Sequence, residues 1–177
     1  IQLLEGLYED APRNTSFYRK LKDAYESVKR YEDALRLVGQ RMGDSPPVAL
    51  LSEKARLLYL KGDRKTANET WDRALRRAPN TAETYQTIYE TLIDLRHFQK
   101  AIEVLQEGRS TLEQPDAFRT QLAYLYGLDG QFEKAMQEYV KLLADAPQRV
   151  NYVRSRLRTF VEQDQGIAAS IDVLQET

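Results

Sequence analysis

The sequence predicts an all-α fold of about five helix-turn-helix hairpins that pack in a row. An alanine recurs at nearly constant spacing, large apolar residues recur at fixed offsets from it, and prolines or turn residues separate the apolar stripes. A period shared by several columns is typical of a repeat array. The alanine, here called the anchor, stands at Ala34, Ala67, Ala101, Ala135 and Ala169, at intervals of 33, 34, 34 and 34 residues.

Two apolar columns accompany the anchor in every repeat, nine residues before it and four residues after it. The anchor and the later column lie one helical turn apart, so they predict one buried face on the second helix of each hairpin. For Trp71 the column favours a core role over a ligand-stacking role. The earlier column is Tyr25, Leu58, Leu92, Tyr126 and Phe160, and the later one is Val38, Trp71, Leu105, Tyr139 and Val173.

The chain divides by this register into a truncated repeat, four full repeats and a final repeat. Residues 1–12 carry the second helix of the truncated repeat. The full repeats are 13–46, 47–79, 80–113 and 114–147, and the final one is 148–177, all in a single array. Apolar stripes predict helix pairs at 15–28 and 31–43, 47–60 and 64–77, 81–95 and 98–112, 115–128 and 132–145, and 149–163 and 166–177.

Turn residues punctuate these helices. Proline ends a helix because it cannot continue the hydrogen-bond ladder, and Pro46, Pro79 and Pro147 stand twelve residues after their anchors. Pro115 comes two residues later than this register expects. Gly62 and the glycine at 130 are typical of the ends of first helices.

Two repeats in particular resemble the tetratricopeptide repeat (TPR) family, and the resemblance extends over essentially the whole chain. It implies a right-handed superhelix, an α-solenoid, whose first helices line a concave groove that binds peptides or partner helices. The fifth repeat is degenerate, since Arg156 and Gly166 stand where the family places leucine and favours an aromatic. The matching residues are Leu51, Ala55, Leu58, Gly62, Ala67, Trp71, Ala74 and Pro79, and Leu122, Ala123, Tyr126, Gly130, Phe132, Ala135, Tyr139 and Pro147.

Composition argues against several kinds of site. The 177 residues are 42% apolar and 30% charged, with a net charge of −1 that gives no global attraction to nucleic acid. There is no cysteine, and His97 is the only histidine, so neither a zinc site nor any other metal or cofactor site is predicted. Phosphate-binding and nucleophile-elbow motifs are missing, which predicts that the chain is not an enzyme. No apolar run is long enough for membrane insertion, and the cytoplasm and the periplasm both remain open.

Groove positions also follow from the 34-residue register. First-helix residues fifteen, eleven and eight before the anchor lie off the core columns, and aromatics beside arginines there are typical of a binding surface. For Tyr59 and Tyr124 the alternative is packing against the neighbouring repeat. The arginines of 149–158 favour a solvated or partner-facing helix over a nucleic-acid stripe. The predicted partner-binding residues are Arg19, Asp23, Arg56, Tyr59, Gln86, Glu90, Ile93, Tyr124, Arg154 and Arg158.

The resemblance therefore implies a protein–protein interaction scaffold that binds a partner peptide or helix in its groove. Asp23 and Glu90 would repel a carboxylate at positions where chaperone-binding members of the family grip a C-terminal carboxylate, which disfavours that role. Two alternatives stay open: a regulatory or targeting region of a larger enzyme, and a module that self-associates through its open ends. Because no polar capping helix is visible, the chain is expected to be a segment of a longer protein. A bacterial protein is expected.

Overall fold

The computed structural model describes residues 1–161, which form ten α-helices and one 3-10 helix, Pro147–Arg149. No strand occurs within this range, and the predicted all-α solenoid class is confirmed. The chain consists of two compact units, residues 1–91 and residues 92–177. The helices are α1 (Gln2–Asp10), α2 (Thr15–Ser27), α3 (Tyr31–Arg41), α4 (Val48–Lys61), α5 (Arg64–Arg77), α6 (Ala82–Asp94), α7 (Phe98–Thr111), α8 (Arg119–Leu128), α9 (Phe132–Asp145) and α10 (Val150–Val161).

The core of each unit consists of the columns that the sequence predicts. The four anchors from Ala34 to Ala135 are 0% exposed, and so is Trp71, which confirms its core role. An alanine at the anchor lets the two helices of a hairpin approach closely, since a larger side chain would separate them. The members of the two apolar columns within 1–158 are all buried.

One turn conformation recurs in all four described hairpins, five residues before the anchor. Lys29, Gly62, Arg96 and Gly130 have φ values of +59°, +100°, +55° and +76°, the left-handed region that favours glycine. The amide of the following residue then donates to a carbonyl five residues earlier, as His97 does to Leu92 at 2.9 Å. This bond and the left-handed residue satisfy the carbonyls at the end of the first helix, as in a Schellman cap.

The fourth first helix begins later than predicted, at Arg119 rather than at residue 115. Gln114 precedes Pro115, and the residue before a proline is disfavoured in a helix. Glu113 and Phe118, on either side of this pair, adopt left-handed φ values of +54° and +57°. The Arg109 side chain also holds the intervening loop, because its Nε donates to the Ala117 carbonyl at 2.6 Å. Residues 112–118 therefore form a loop instead of the first turn of α8.

A buried charge network fixes this loop within the second unit. Glu138, on α9, accepts two hydrogen bonds from Arg109, at 2.6 and 2.8 Å, and lies 3.8 Å from the Nε of Arg119. Arg119 also donates to Asp145 and Asp116. Glu138 and Arg119 are only 7% and 9% exposed. Two guanidinium groups and several carboxylates thus join α7, α8 and α9.

In the fifth repeat, α10 buries Val153, and Leu157 is half-buried, as the apolar stripe predicts. The expected second helix of that repeat, with its anchor Ala169 and with Gly166, lies outside the described residues. Within 1–161, no helix combines the length and the apolar character required to cross a membrane.

Candidate partner-binding site

In the first unit, side-chain contacts connect the first helices of successive repeats. Arg56 on α4 donates to Glu26 on α2 at 2.6 Å, and the Ser52 and Thr91 hydroxyls lie 2.9 Å apart between α4 and α6. Arg56 stands eleven residues before its anchor and Glu26 eight before its own. These columns therefore lie side by side on neighbouring helices, as the groove register requires.

A second polar contact joins α2 and α4. Glu53 accepts hydrogen bonds from the Tyr18 hydroxyl and from the Lys22 ammonium, each at 2.5 Å. Burial and the bond to Glu53 both raise the pKa of Tyr18, so its hydroxyl stays protonated. Lys22, Glu26 and Glu53 were not among the predicted site residues. The sequence feature that could have indicated this contact is the opposite charge of Glu26 and Arg56 in columns that lie side by side.

The predicted partner-binding residues of the first unit differ in their exposure and in their contacts. Arg19, Asp23 and Glu90 are exposed, and Asp23 lies 3.6 Å from Lys22. Gln86 is half-buried and donates to Glu90 at 3.0 Å on the same helix.

Tyr59 is half-buried and packs within its own hairpin. Its ring lies 5.9 Å from that of Trp71, with an interplanar angle of 52°, and the Arg64 guanidinium lies 4.1 Å above it. A guanidinium over an aromatic face is attracted by the ring quadrupole. Tyr59 thus covers the buried Trp71 and is itself only partly exposed.

In the second unit, Tyr124 on α8 lies beneath a side chain of α10. The Arg156 guanidinium is 4.9 Å from the Tyr124 ring and 5.4 Å from the Tyr152 ring. The Tyr152 ring is in turn 6.5 Å from that of the buried Tyr139 in an edge-on arrangement. Arg156, an apparent departure from the repeat pattern, therefore connects the first helices of two successive repeats.

The remaining predicted residues of this unit are Ile93, Arg154 and Arg158. Ile93 is half-buried on α6, whereas Arg154 and Arg158 are exposed and stand one helical turn apart on α10. Among residues 1–161, no carboxylate forms an ion pair with either arginine. The role of all ten predicted residues in binding a partner stays a prediction.

A separate cleft of about 940 Å³ is lined chiefly by α1, α2 and α3 of the first unit. Two of its acidic residues have partners: Glu5 accepts from the Tyr25 hydroxyl at 2.7 Å, and Asp33 from Arg30 at 2.6 Å. Burial and the bond to Glu5 raise the pKa of Tyr25 to about 12. Within the described chain, no cluster of three His, Cys, Asp or Glu side chains could hold a metal ion. His97 is half-buried at the start of α7, in the turn where it was expected.

Comparison with known proteins yields one curated relative and several solved structures. The TPR repeat-containing protein YpiA of Bacillus subtilis (strain 168) is 26% identical over 140 residues, or 78% of this chain. The chain spans about a third of that relative's length, 33%. No protein-family model matches the chain.

Two of the similar solved structures are YrrB and MamA. YrrB, described as a TPR protein with an unusual peptide-binding site, has a TM-score of 0.49 and 16% identity, covering 96% of this chain and 91% of its own. MamA of Desulfovibrio magneticus RS-1 has a TM-score of 0.48 and 20% identity, covering 90% of this chain and 91% of its own.

Proposed function

The chain belongs to the tetratricopeptide repeat family, and we propose from this that its first helices bind a peptide or helix of a partner protein. The family rests on the 34-residue columns, on their burial in successive helical hairpins and on the similarity to the curated repeat protein. The proposal assigns binding, and no catalysis, to this segment. A repeat fold does not name its ligand, so the proposal depends on the surface itself.

The observation that carries the proposal is the contact between groove columns in the first unit. Because Arg56 reaches Glu26 across two first helices, the columns form one continuous surface there and not separate patches. Exposed charged residues, Asp23 and Glu90 among them, lie in the same columns on α2 and α6. Asp23 and Glu90 themselves are not part of the buried core.

The chemistry of these columns is suited to recognising a polar segment. Tyr59 and Tyr124 are half-buried and contact arginines, so their rings are held rigid while part of each surface remains accessible. Rigid aromatics and arginines dominate the energetics of protein interfaces. The charged residues around them would fix the orientation of the segment more than they would add affinity.

Site-specific photo-crosslinking tests the proposal. A photoreactive phenylalanine analogue is placed at Asp23, Glu90 or Arg154 on first helices, and at the exposed Arg73 or Glu107 on second helices as matched controls. We expect crosslinks to a partner protein from the first-helix positions in a lysate of the source organism. Crosslinks that form mainly from Arg73 and Glu107 would contradict the proposal and would locate binding on the second helices.

A further inference from the structure

We infer that the α10 surface of the second unit, formed by Arg154 and Arg158 beside Arg156, binds an acidic segment of a partner protein. The inference rests on the proposed function and adds the chemistry of the partner. It comes from a difference between the two units, each of which contains neighbouring first helices in the same 34-residue register.

In the first unit, the arginine that stands in the column of Arg158 is neutralised within the chain. Arg56 pairs with Glu26 of the preceding first helix at 2.6 Å, and Glu53 pairs with Lys22 at 2.5 Å. Glu26 is 13% and Arg56 25% exposed at the side chain, so the pair is largely covered. A ligand would have to displace carboxylates that this unit already supplies to its own cations.

In the second unit, the positions that correspond to Glu26 and Glu53 hold no acidic residue. Arg158 occupies the column of Arg56, but the column of Glu26 holds Gly127. The column of Glu53 holds Ser155. The register therefore places an arginine on α10 where its cross-helix carboxylate has been replaced by a glycine.

No other described residue makes up for this loss. Neither α8 nor α10 contains an aspartate or glutamate. Arg154 and Arg158 are exposed, and within residues 1–161 neither takes part in an ion pair. Arg119, by contrast, is covered and bonded to Asp116 and Asp145, so it belongs to the internal network. Cations with no internal partner attract an external anion and steer its approach.

Arg156 and the tyrosines hold this surface in place. The guanidinium lies 4.9 Å from the Tyr124 ring on α8 and 5.4 Å from the Tyr152 ring on α10. Burial opposes the charge of Arg156, but the hydrogen bond with Tyr152 and the electrostatic effect of Tyr152, Tyr139 and Tyr124 together outweigh it and raise the pKa of the guanidinium, so it stays charged. Arg154 and Arg158, which have no ion-pair partner among residues 1–161, thus project from a helix that is attached to its neighbour.

The spacing of the two free arginines fits an extended acidic peptide. Residues four apart on a helix have Cβ atoms about 5–6 Å apart. In an extended chain, which rises about 3.3 Å per residue, alternate side chains lie on one side about 6.6 Å apart. Carboxylates at alternate positions of a peptide would therefore reach Arg154 and Arg158 together, and each could accept two parallel bonds from a guanidinium.

A protein segment fits these observations better than a nucleic acid does. Non-specific binding of a single strand combines a basic groove with aromatic faces on which bases stack. Here Arg156 lies over one face of the Tyr124 ring and over one face of the Tyr152 ring. Arg154 and Arg158 also lie on a single helix, whereas a phosphate backbone is tracked by cations repeated along a stripe.

Fluorescence polarisation with the 177-residue chain tests the inference. The probe is a short fluorescein-labelled peptide of alternating glutamate and serine, compared with glutamine–serine and lysine–serine peptides. We expect only the glutamate peptide to bind. Raising the ionic strength from about 0.1 M to about 1 M shortens the Debye length from about 10 Å to about 3 Å and should weaken that binding.

Variants then locate the site. Arg154→Gln with Arg158→Gln should lower the affinity for the glutamate peptide about tenfold, since exposed ion pairs are individually weak. Gly127→Glu should also lower it, because it restores the internal carboxylate found in the first unit. Arg73→Gln with Arg76→Gln removes two exposed arginines from α5 and should leave the affinity unchanged. Circular dichroism checks that each variant retains its helices.

Four results would overturn the inference. The first is an equal loss of affinity in the α5 and α10 variants, and the second is equal binding of the glutamine peptide. The third is an oligothymidine that binds more tightly than the peptide and is lost with Arg154 and Arg158. The fourth is self-association of the chain, measured by light scattering, that the same double variant abolishes, since the occupant would then be a second copy.

The crosslinking experiment separates this inference from the proposed function. If a partner is captured from Arg154 but its crosslinked segment carries no acidic residues, the inference fails and the proposed function stands. If no first-helix position yields a crosslink, the proposed function fails, and the peptide titration decides the inference alone.

Discussion

Replacing the non-glycine residues of the recurring hairpin turn by glycine should stabilise the protein. Lys29 and Arg96 occupy the left-handed region at φ +59° and +55°, where a Cβ atom crowds the following carbonyl oxygen at a cost of about 1–2 kcal/mol. Glycine avoids this cost but loses about 0.5–1 kcal/mol through its greater freedom in the unfolded chain. The expected net gain for Lys29→Gly or Arg96→Gly is therefore about 0.5–1 kcal/mol in the free energy of unfolding.

The reciprocal change isolates the backbone contribution. Gly62 lies at φ +100°, and a Cβ atom added there would meet no heavy atom within 4 Å. Gly62→Ala should nevertheless destabilise the protein by about 1 kcal/mol, because alanine is strained at positive φ even where space is free. Steric contact with neighbouring side chains therefore cannot account for such a loss.

Thermal and urea unfolding would measure these effects. For a chain of this size, 1 kcal/mol corresponds to a shift in melting temperature of about 2–4 °C. Arg96→Ala is the matched control, since it removes the same side chain and keeps the Cβ atom. If Arg96→Gly is no more stable than Arg96→Ala, or if Gly62→Ala is neutral, the conformational explanation of the turn is wrong.

Three further changes test the core, the charge network and the candidate site. Ala67→Leu should cost about 1–3 kcal/mol in unfolding free energy by overpacking a fully buried anchor, and equal melting shifts for the exposed Lys65→Leu would contradict this. Glu138→Ala should cost about 3 kcal/mol by leaving buried guanidinium groups without their carboxylate, whereas the exposed Glu133→Ala on the same helix should change stability by less than about 0.5 kcal/mol. Tyr59→Ala should weaken binding of a partner identified by crosslinking by about 2–4 kcal/mol. Tyr59→Phe, which keeps the ring on Trp71, should retain most of the affinity and the stability. Binding titration and thermal melting of both variants would test this, and a loss of affinity in Tyr59→Phe with none in Tyr59→Ala would contradict it.

Most of the core could be predicted from the sequence because periodic columns report directly on which helix face is buried. Ala67 and Trp71 illustrate this, since each column is defined by residues from five repeats and the structure buries both side chains fully. Of the four left-handed turns, the sequence predicts only the two that contain glycine. Glycine marks them at Gly62, but Lys29 and Arg96 adopt the same conformation because the surrounding hairpin imposes it on them.

The sequence pattern could not predict side-chain contacts between residues of different columns. The late start of α8 depends on Arg109 binding the Ala117 carbonyl and Glu138, residues 8 and 29 positions away. A column reports what one position does in every repeat, whereas within residues 1–161 this network occurs in one repeat only. For the same reason Arg156 was read as a departure from the pattern, although the structure gives it two aromatic neighbours.

The order in which the helices touch has a consequence for synthesis of the protein. Within residues 1–91, α1 contacts α2, α2 contacts α3, α3 contacts α4, and α4 contacts α5, so these contacts run between consecutive helices. Chains rich in local contacts fold within microseconds to milliseconds, whereas a ribosome adds only about 5–20 residues per second. Each hairpin of residues 1–91 therefore has time to form and dock on its predecessor before the next has left the exit tunnel. The growing chain then exposes the apolar face of only its newest hairpin to aggregation.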